Sequence, residues 1–319
     1  MQAKTCWILT VGVPGMDNQS IGLARALGLD GVRKRLQPVA PWKHLPPQLW
    51  LAPLRFLGPD SDALEPPWPD VLIGTGRLTV AVALAIKRAS GGRTFNIRIQ
   101  DPHTAYDEFD VIVTPQHDRC NRPNVIPTLG GLHTITPQRI HEAGERFAEK
   151  FAHVPRPRVA VLVGGTNKCY RLTPETGRAL GEQLAALAAS TGAGILLTPS
   201  RRTGADVEAV LRDALAHTPA YVWDGTGENP YLAYLALADY IVVTADSVNM
   251  VSEACITGKP VYVVELEGGS RKFRLFHEAM RAGGYTRPFT GTLESWNYPP
   301  LDEVGTVAAE IRKRLGIPR

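Results

Sequence analysis

Asp246, Ser247, Asn249 and Glu253 fall within one short stretch and have the chemistry of a site for an anion and a sugar. An apolar run, Tyr240–Thr244, passes through this polar turn into a helix-length segment closed by Gly258-Lys259-Pro260. Ser247 suits the N-cap, where its hydroxyl can accept a backbone N–H of the first turn. Gly258 suits the left-handed residue after a helix, and Pro260 prevents the helix continuing. Helical spacing then places Asp246, Asn249 and Glu253 on one face. Phosphate favours such a helix start, and Glu253, two turns in, can accept hydrogen bonds from ribose hydroxyls. An ordinary βα unit with a good cap reads the same way, and this stretch alone does not separate the two.

The elements that must hold these residues recur along the second half. Strand-like runs are expected at Val159–Val163, Ile195–Thr198, Ala220–Trp223, Tyr240–Thr244 and Val261–Val264. Helices are expected between them, at Glu175–Ser190, Asp206–Ala216, Tyr231–Leu237 and Val248–Thr257. Short buried strands alternating with helices indicate βα units, a parallel sheet and a doubly wound Rossmann-like domain. In such sheets ligands bind beyond the carboxyl ends of the strands. The unusual residues fall there: Gly164-Gly165 and Lys168 after the first strand, Arg202 after the second, Asp246-Ser247 after the fourth. Glycines admit close backbone approach to phosphate, and Lys168 or Arg202 would neutralise a diphosphate. The Walker spacing and the Gly-x-Gly-x-x-Gly fingerprint are both missing, which argues against a P-loop enzyme and a dinucleotide oxidoreductase.

The first half repeats the pattern, with strands expected at Cys6–Val11, Val71–Ile73, Thr94–Ile99 and Val111–Val113, a weaker one near Val32–Leu36, and helices at Ser20–Leu27 and Thr79–Ala89. Its loops hold Asp17, Asp101 with His103, and His117 with Asp118. These are the candidates for a general base, since histidine titrates near neutral pH and a carboxylate can accept a hydroxyl proton. Each is equally a solvated loop residue or a turn former. No nucleophile-elbow motif accompanies them. The segment Trp42–Leu57 packs tryptophan and leucine beside scattered cations. It reads either as an interfacial membrane contact or lipid-acceptor wall, or as an insertion packed on its own domain.

At 319 residues two domains are expected. A helix at Glu142–His153 and the stiff Val154–Arg158 linker place the boundary, giving 1–153 as an acceptor-side domain and 158–286 as a nucleotide domain. Residues 287–319, ending in a helix near Glu303–Leu315, form a tail, with a return to the first domain as one option. Hydrophobic content of 44% and charged content of 21% suit a globular protein, and no apolar run reaches the ~20 residues of a membrane span. The four scattered cysteines and the lack of a signal-peptide pattern lead to an expected cytoplasmic location, with a peripheral place at the inner membrane face if Trp42–Leu57 touches lipid. A net charge of +4 is too small to argue for nucleic acid.

Glu253-Ala254 followed by Gly258-Lys259-Pro260-Val261 resembles the nucleotide-sugar signature of GT-B glycosyltransferases. The resemblance implies two Rossmann-like doubly wound domains facing across a cleft, with Glu253 on the ribose. Ala245 stands where many retaining members carry a second glutamate, which favours inversion. More specifically, the chain resembles a bacterial member of the mitochondrial fission ELM (elongated mitochondria) family. That likeness rests on Pro14–Ser20, Gly76-Arg77, Gln100-Asp101-Pro102, His117-Asp118, Gly164-Gly165, Ser200–Thr203, Thr244–Glu253 and Arg287-Pro288-Phe289. Met16 departs from the polar residue expected after Gly15. Together these imply a metal-independent, inverting glycosyltransferase. A nucleotide-diphosphate sugar would be co-substrate, with no cofactor, and an unidentified, lipid-linked acceptor is one option. Gly164, Gly165, Lys168, Arg202, Asp246, Ser247, Asn249 and Glu253 would hold the donor, and Asp17, Asp101 or His117 would deprotonate the acceptor. A non-catalytic scaffold working at a membrane surface and a nucleotide-sugar 2-epimerase are the alternatives.

Overall fold

A computed structural model describes residues 4–316. In chain order the elements are β1 (Cys6–Thr10), α1 (Pro14–Ala26), β2 (Gly31–Arg35), β3 (Val71–Thr75), α2 (Val80–Ala89), β4 (Phe95–Ile99), β5 (Val111–Pro115), β6 (Val125–Thr128) and α3 (Pro137–Phe147). They continue with β7 (Arg158–Val163), β8 (Tyr170–Arg171), α4 (Pro174–Thr191), β9 (Gly194–Pro199), α5 (Ala205–Ala214), β10 (Ala220–Val222), α6 (Tyr231–Leu237), β11 (Tyr240–Thr244) and α7 (Val248–Cys255). Last come β12 (Val261–Val264), β13 (Glu267–Gly268), α8 (Arg271–Ala282), β14 (Thr286–Pro288) and α9 (Glu303–Leu315). The chain divides into two compact units, one reaching to Thr134 and resuming at Asp302, the other spanning Ile135–Leu301.

The first unit holds a parallel six-stranded sheet in the order β2-β1-β3-β4-β5-β6. All five residues of β3 are buried, as a central strand covered on both faces requires. On one face Leu23 of α1, Leu27 just after it, and Val307 and Ile311 of α9 pack into the core with Ile8 and Ile73. On the other, α2 packs with Leu9, Leu72 and Trp50. Glu303 fastens the start of α9 by accepting the N–H groups of Leu129 at 2.6 Å and Gly130 at 3.0 Å.

The second unit repeats the architecture as β10-β9-β7-β11-β12-β14, again all parallel, with a small antiparallel β8–β13 pair. Val159–Val163 of β7 are wholly buried, matching their uninterrupted apolar sequence.

The unit boundary differs from the sequence expectation. Thr136 caps α3, whose Ile140, Ala143 and Phe147 are buried. Gly144 meets Ala236 of α6 so closely that a Cβ would come within 2.8 Å of the alanine methyl. The helix therefore belongs to the second unit, and the first ends at Thr134 rather than at 153. At the other end, position 286 is no boundary, because Thr286 to Pro288 form β14, paired with β12. Leu301 still donates to Cys255 in the second unit, and the chain joins the first only from Asp302. The outermost residues of both terminal assignments, 1–3 and 317–319, lie outside the described residues.

Trp42–Leu57 forms two single-turn helices rather than one amphipathic helix. Trp42, Leu45, Trp50, Leu54 and Leu57 pack on the α2 face of their own unit, and Arg77 donates to the carbonyls of Lys43 and Leu45. Leu49, Leu51 and Phe56 remain exposed. Among the described residues no helix is long and apolar enough to cross a membrane.

Candidate functional site

The second sheet reverses its winding between β7 and β11, its central neighbours. The loops after those two strands are therefore the topological switch point, the usual crevice for ligands. They are Gly164–Cys169 and Ala245–Ser247. Ser247 caps α7 by accepting the Met250 N–H at 3.3 Å. Among the described residues the N–H groups of Val248 and Asn249 have no acceptor, so the helix start presents two free donors. Lys168 is exposed on the opposing loop with no ion-pair partner among the described residues.

Four of the expected donor-site residues are occupied within the protein. Gly164 N–H donates to Thr244 Oγ1 at 2.7 Å, and Gly165 N–H to Asp246 Oδ2 at 3.0 Å. Both amides, expected to cradle a phosphate, are thus bonded within the protein. Asp246 is buried, also accepts from Thr244 at 2.7 Å, and pairs with Arg202 at 2.8 Å. Its charge is thus balanced by Arg202, whose guanidinium directs one nitrogen into this pair. The physical reason is desolvation: a buried carboxylate needs donors and a counter-charge, and these groups supply them. A Cβ on Gly164 would fall 2.1 Å from Asp246 Oδ1, so glycine is required here by the carboxylate.

Glu253 lies two turns into α7. Sequence reasoning missed its partner, Tyr231, whose hydroxyl donates to Glu253 Oε2 at 2.6 Å. Burial pushes the Glu253 carboxyl up to about 7, the tyrosine bond acting the other way. Burial and the adjacent carboxyl together raise Tyr231 well above its ordinary value. Only one carboxyl oxygen is engaged by the hydroxyl, so the other can accept from a bound ligand.

In the first unit the winding reverses between β1 and β3. Asp17, in the first turn of α1 beside β1, accepts from Thr10 Oγ1. Met16 packs so closely on Gly76 that a Cβ there would meet its sulfur at 2.6 Å, so an apolar side chain fills the position where a polar one is expected. Asp101 lies farther along the same edge, after β4. Its Oδ1 accepts the His103 N–H and the Tyr106 hydroxyl, both at 2.8 Å, and His103 Nδ1 lies 3.4 Å from Oδ2. Gln100, His103 and Ala105 all adopt positive φ, a cluster of strain of the kind concentrated at functional sites. Burial, together with Asp101, raises the Tyr106 hydroxyl to about 12. His117 is half-buried in a single turn after β5, and the adjacent Asp118 accepts from Thr114. The structure thus joins Asp101 with His103 and Tyr106, while Asp17 belongs to a separate Thr10 cluster.

Buried Arg98 was not anticipated as a site residue. It donates to the Gly76 carbonyl at 3.0 Å and to Thr79 at 2.9 Å, bracing the loop after β3. Desolvation lowers its pKa only to about 10, so it stays charged at neutral pH. The signal was an arginine inside the apolar run Phe95–Ile99. Among the described residues no three His, Cys, Asp or Glu side chains are grouped to hold a metal.

The sequence pattern of the mitochondrial fission ELM1 family matches residues 14–315. The chain belongs to that family. It is 30% identical to the mitochondrial fission protein ELM1 of Arabidopsis thaliana, over 95% of this chain and 89% of the plant protein. Its fold is shared with UDP-GlcNAc 2-epimerase of Methanocaldococcus jannaschii, with TM-score 0.56, 13% identity and coverage of 98% of this chain and all of that one. A kitacinnamycin glycosyltransferase gives TM-score 0.53 at 14% identity, covering 99% and 92% of the two chains. These likenesses show a GT-B-type scaffold of two Rossmann-like units for this ELM1-family chain.

Proposed function

We propose that the protein binds a nucleotide-diphosphate sugar in its second unit and transfers the glycosyl group to an acceptor hydroxyl. The observation that carries this reading is α7 itself: two free N–H donors at its start and a carboxylate two turns in, at the switch point of the sheet. The diphosphate would accept from the Val248 and Asn249 N–H groups, with Lys168 as the nearby cation. Ribose hydroxyls would donate to Glu253. As the sugar–oxygen bond breaks, charge grows on the departing diphosphate, and the helix dipole and Lys168 offset it without a metal. Gly164, Gly165, Asp246 and Arg202 would fix the loop shape rather than touch the ligand. In the first unit Asp101 would serve as the acceptor base, with Tyr106 and His103 orienting its carboxylate. A displacement from the face opposite the leaving group would invert the anomeric centre.

Calorimetric titration against nucleoside diphosphates and their sugars tests the reading. One nucleotide series should bind to the parent protein and lose affinity in Glu253→Ala. Binding by none of them would favour a scaffold that has kept the fold. Conversion of the donor without an acceptor, into a sugar epimeric at C2, would instead favour epimerase chemistry.

A further inference from the structure

Beyond the α7 site, the second unit encloses another cavity of about 450 Å³ at the ends of β11, β12 and β14 and the start of α8. That volume is in the range of small-molecule pockets. Neither Ser247 nor Glu253 lines it. Two of its lining side chains are buried and each carries a polar atom without a partner: His277, 7% exposed, and Thr286, 3% exposed. The orphan atoms are His277 Nδ1 and Thr286 Oγ1. His277 Nε2 lies 2.9 Å from the Ala245 carbonyl, so that nitrogen carries the proton and donates. Burial lowers the imidazole pKa below its ordinary value, and the ring is neutral at pH 7. Nδ1 is therefore an acceptor waiting for a donor. Unpartnered buried polar atoms are scarce in native proteins, and two lining one cavity point to a ligand that satisfies both.

The remaining wall is cationic. Arg281 is only 3.7 Å from Glu265, and Arg287 pairs with Glu294. Arg271 and Arg274, also lining the cavity, have no ion-pair partner among the described residues. Ser270 caps α8 and turns the positive end of its dipole to the same space. Gly268 and Gly269, at φ of +104° and +109°, form the tight approach to that cap, a conformation only glycine adopts readily.

We propose that this cavity binds a polyhydroxylated anion, a sugar bearing a phosphate or carboxylate group. Arg271, Arg274 and the helix start recognise the anionic group. A sugar hydroxyl donates to His277 Nδ1, and another exchanges a hydrogen bond with Thr286. The inference goes beyond the nucleotide reading and shares no ligand-contacting residue with it, so either can fail alone.

Calorimetric titration of the full chain with glucose 6-phosphate, glucuronate, glucose and inorganic phosphate tests it. One sugar anion should bind, with glucose and phosphate weaker by about tenfold or more. Which of the two binds names the anionic group. Thr286→Val removes an unpartnered hydroxyl at nearly constant shape. It should keep or raise the melting temperature while weakening the sugar anion about fivefold. Arg274→Ala should weaken it by about tenfold, as lost charge-assisted bonds do. The proposal is overturned if neither sugar anion binds, if phosphate binds as tightly as they do, or if Thr286→Val leaves the affinity unchanged.

Discussion

Gly165 and the Arg202 carbonyl are so close that a Cβ on the glycine would lie 2.0 Å from the carbonyl oxygen. The contact binds the loop after β7 to the loop after β9 through main chain, which cannot rotate away as a side chain can. Gly165→Ala should therefore cost about 1–3 kcal/mol, the range for overpacking a tight interior. Denaturant unfolding measures it. A variant as stable as the parent would show that the loop has room to yield.

Glu253 makes stability depend on pH. The folded protein holds its proton up to about pH 7, whereas the ordinary carboxyl value is 4.5. The folded state thus binds the proton more tightly than the unfolded chain, and stability falls as pH rises between those values. Glu253→Gln keeps an acceptor for Tyr231 and removes the titration. It should flatten this part of the profile and be more stable than the parent at pH 8, as chemical unfolding across pH would reveal.

The same titration predicts the direction of ligand binding. Ribose hydroxyls donate best to an ionised carboxylate, so nucleotide affinity should rise as pH passes through about 7. The Glu253→Gln protein should lose most of that dependence. Titrations at pH 6 and pH 8 compare the two.

Much of the second unit was legible because its strands are continuous apolar runs and its helices carry local signals. Thr173 with Pro174, and Ser247 with its first turn, cap α4 and α7 as read. Several elements were not legible, among them α8, β14 and β6. In α8 the buried Phe276, His277 and Met280 form a narrow stripe among five basic or acidic residues from Arg271 to Arg281, so the apolar period is faint. β14 is three residues long and contains Arg287 and Pro288, which an edge strand tolerates and a sequence pattern hides. β6 holds Pro127, again at a sheet edge. The start of α1 at Pro14, well before Ser20, follows from proline's tolerance of the first helical position. Within the site, Glu253 and Ser247 could be placed by spacing. The pairing of Asp246 with Arg202 could not, because it links residues 44 positions apart in sequence, after different strands.

Asp101 shapes the tyrosine beside it. Tyr106 is held at about 12 by burial first and by Asp101 second. Asp101→Asn removes the second contribution, so the Tyr106 phenolate should appear at lower pH, with the burial effect remaining. Ultraviolet phenolate titration against a Tyr106→Phe control reads the change. An unmoved midpoint would separate Asp101 from Tyr106 in solution.

Glu303 satisfies two backbone donors, at Leu129 and Gly130. Glu303→Ala would leave both without this acceptor, the second of them buried, at a cost of about 1–3 kcal/mol. Thermal unfolding should show the loss in the transition of the first unit. Equal stability of the variant would mean that water replaces the carboxylate.

The participation of α9 in the first unit also sets an order of events at the ribosome. Val307 and Ile311 complete the core around Leu23 and Ile8, yet they are translated after the whole of the second unit. The segment made first must wait for its last helix, while Ile135–Leu301 is continuous and can fold as it emerges. Synthesis from the N-terminus ordinarily favours the leading domain. Here the trailing unit should reach its native state first, leaving the α9-facing side of the leading sheet uncovered until translation passes Ile311.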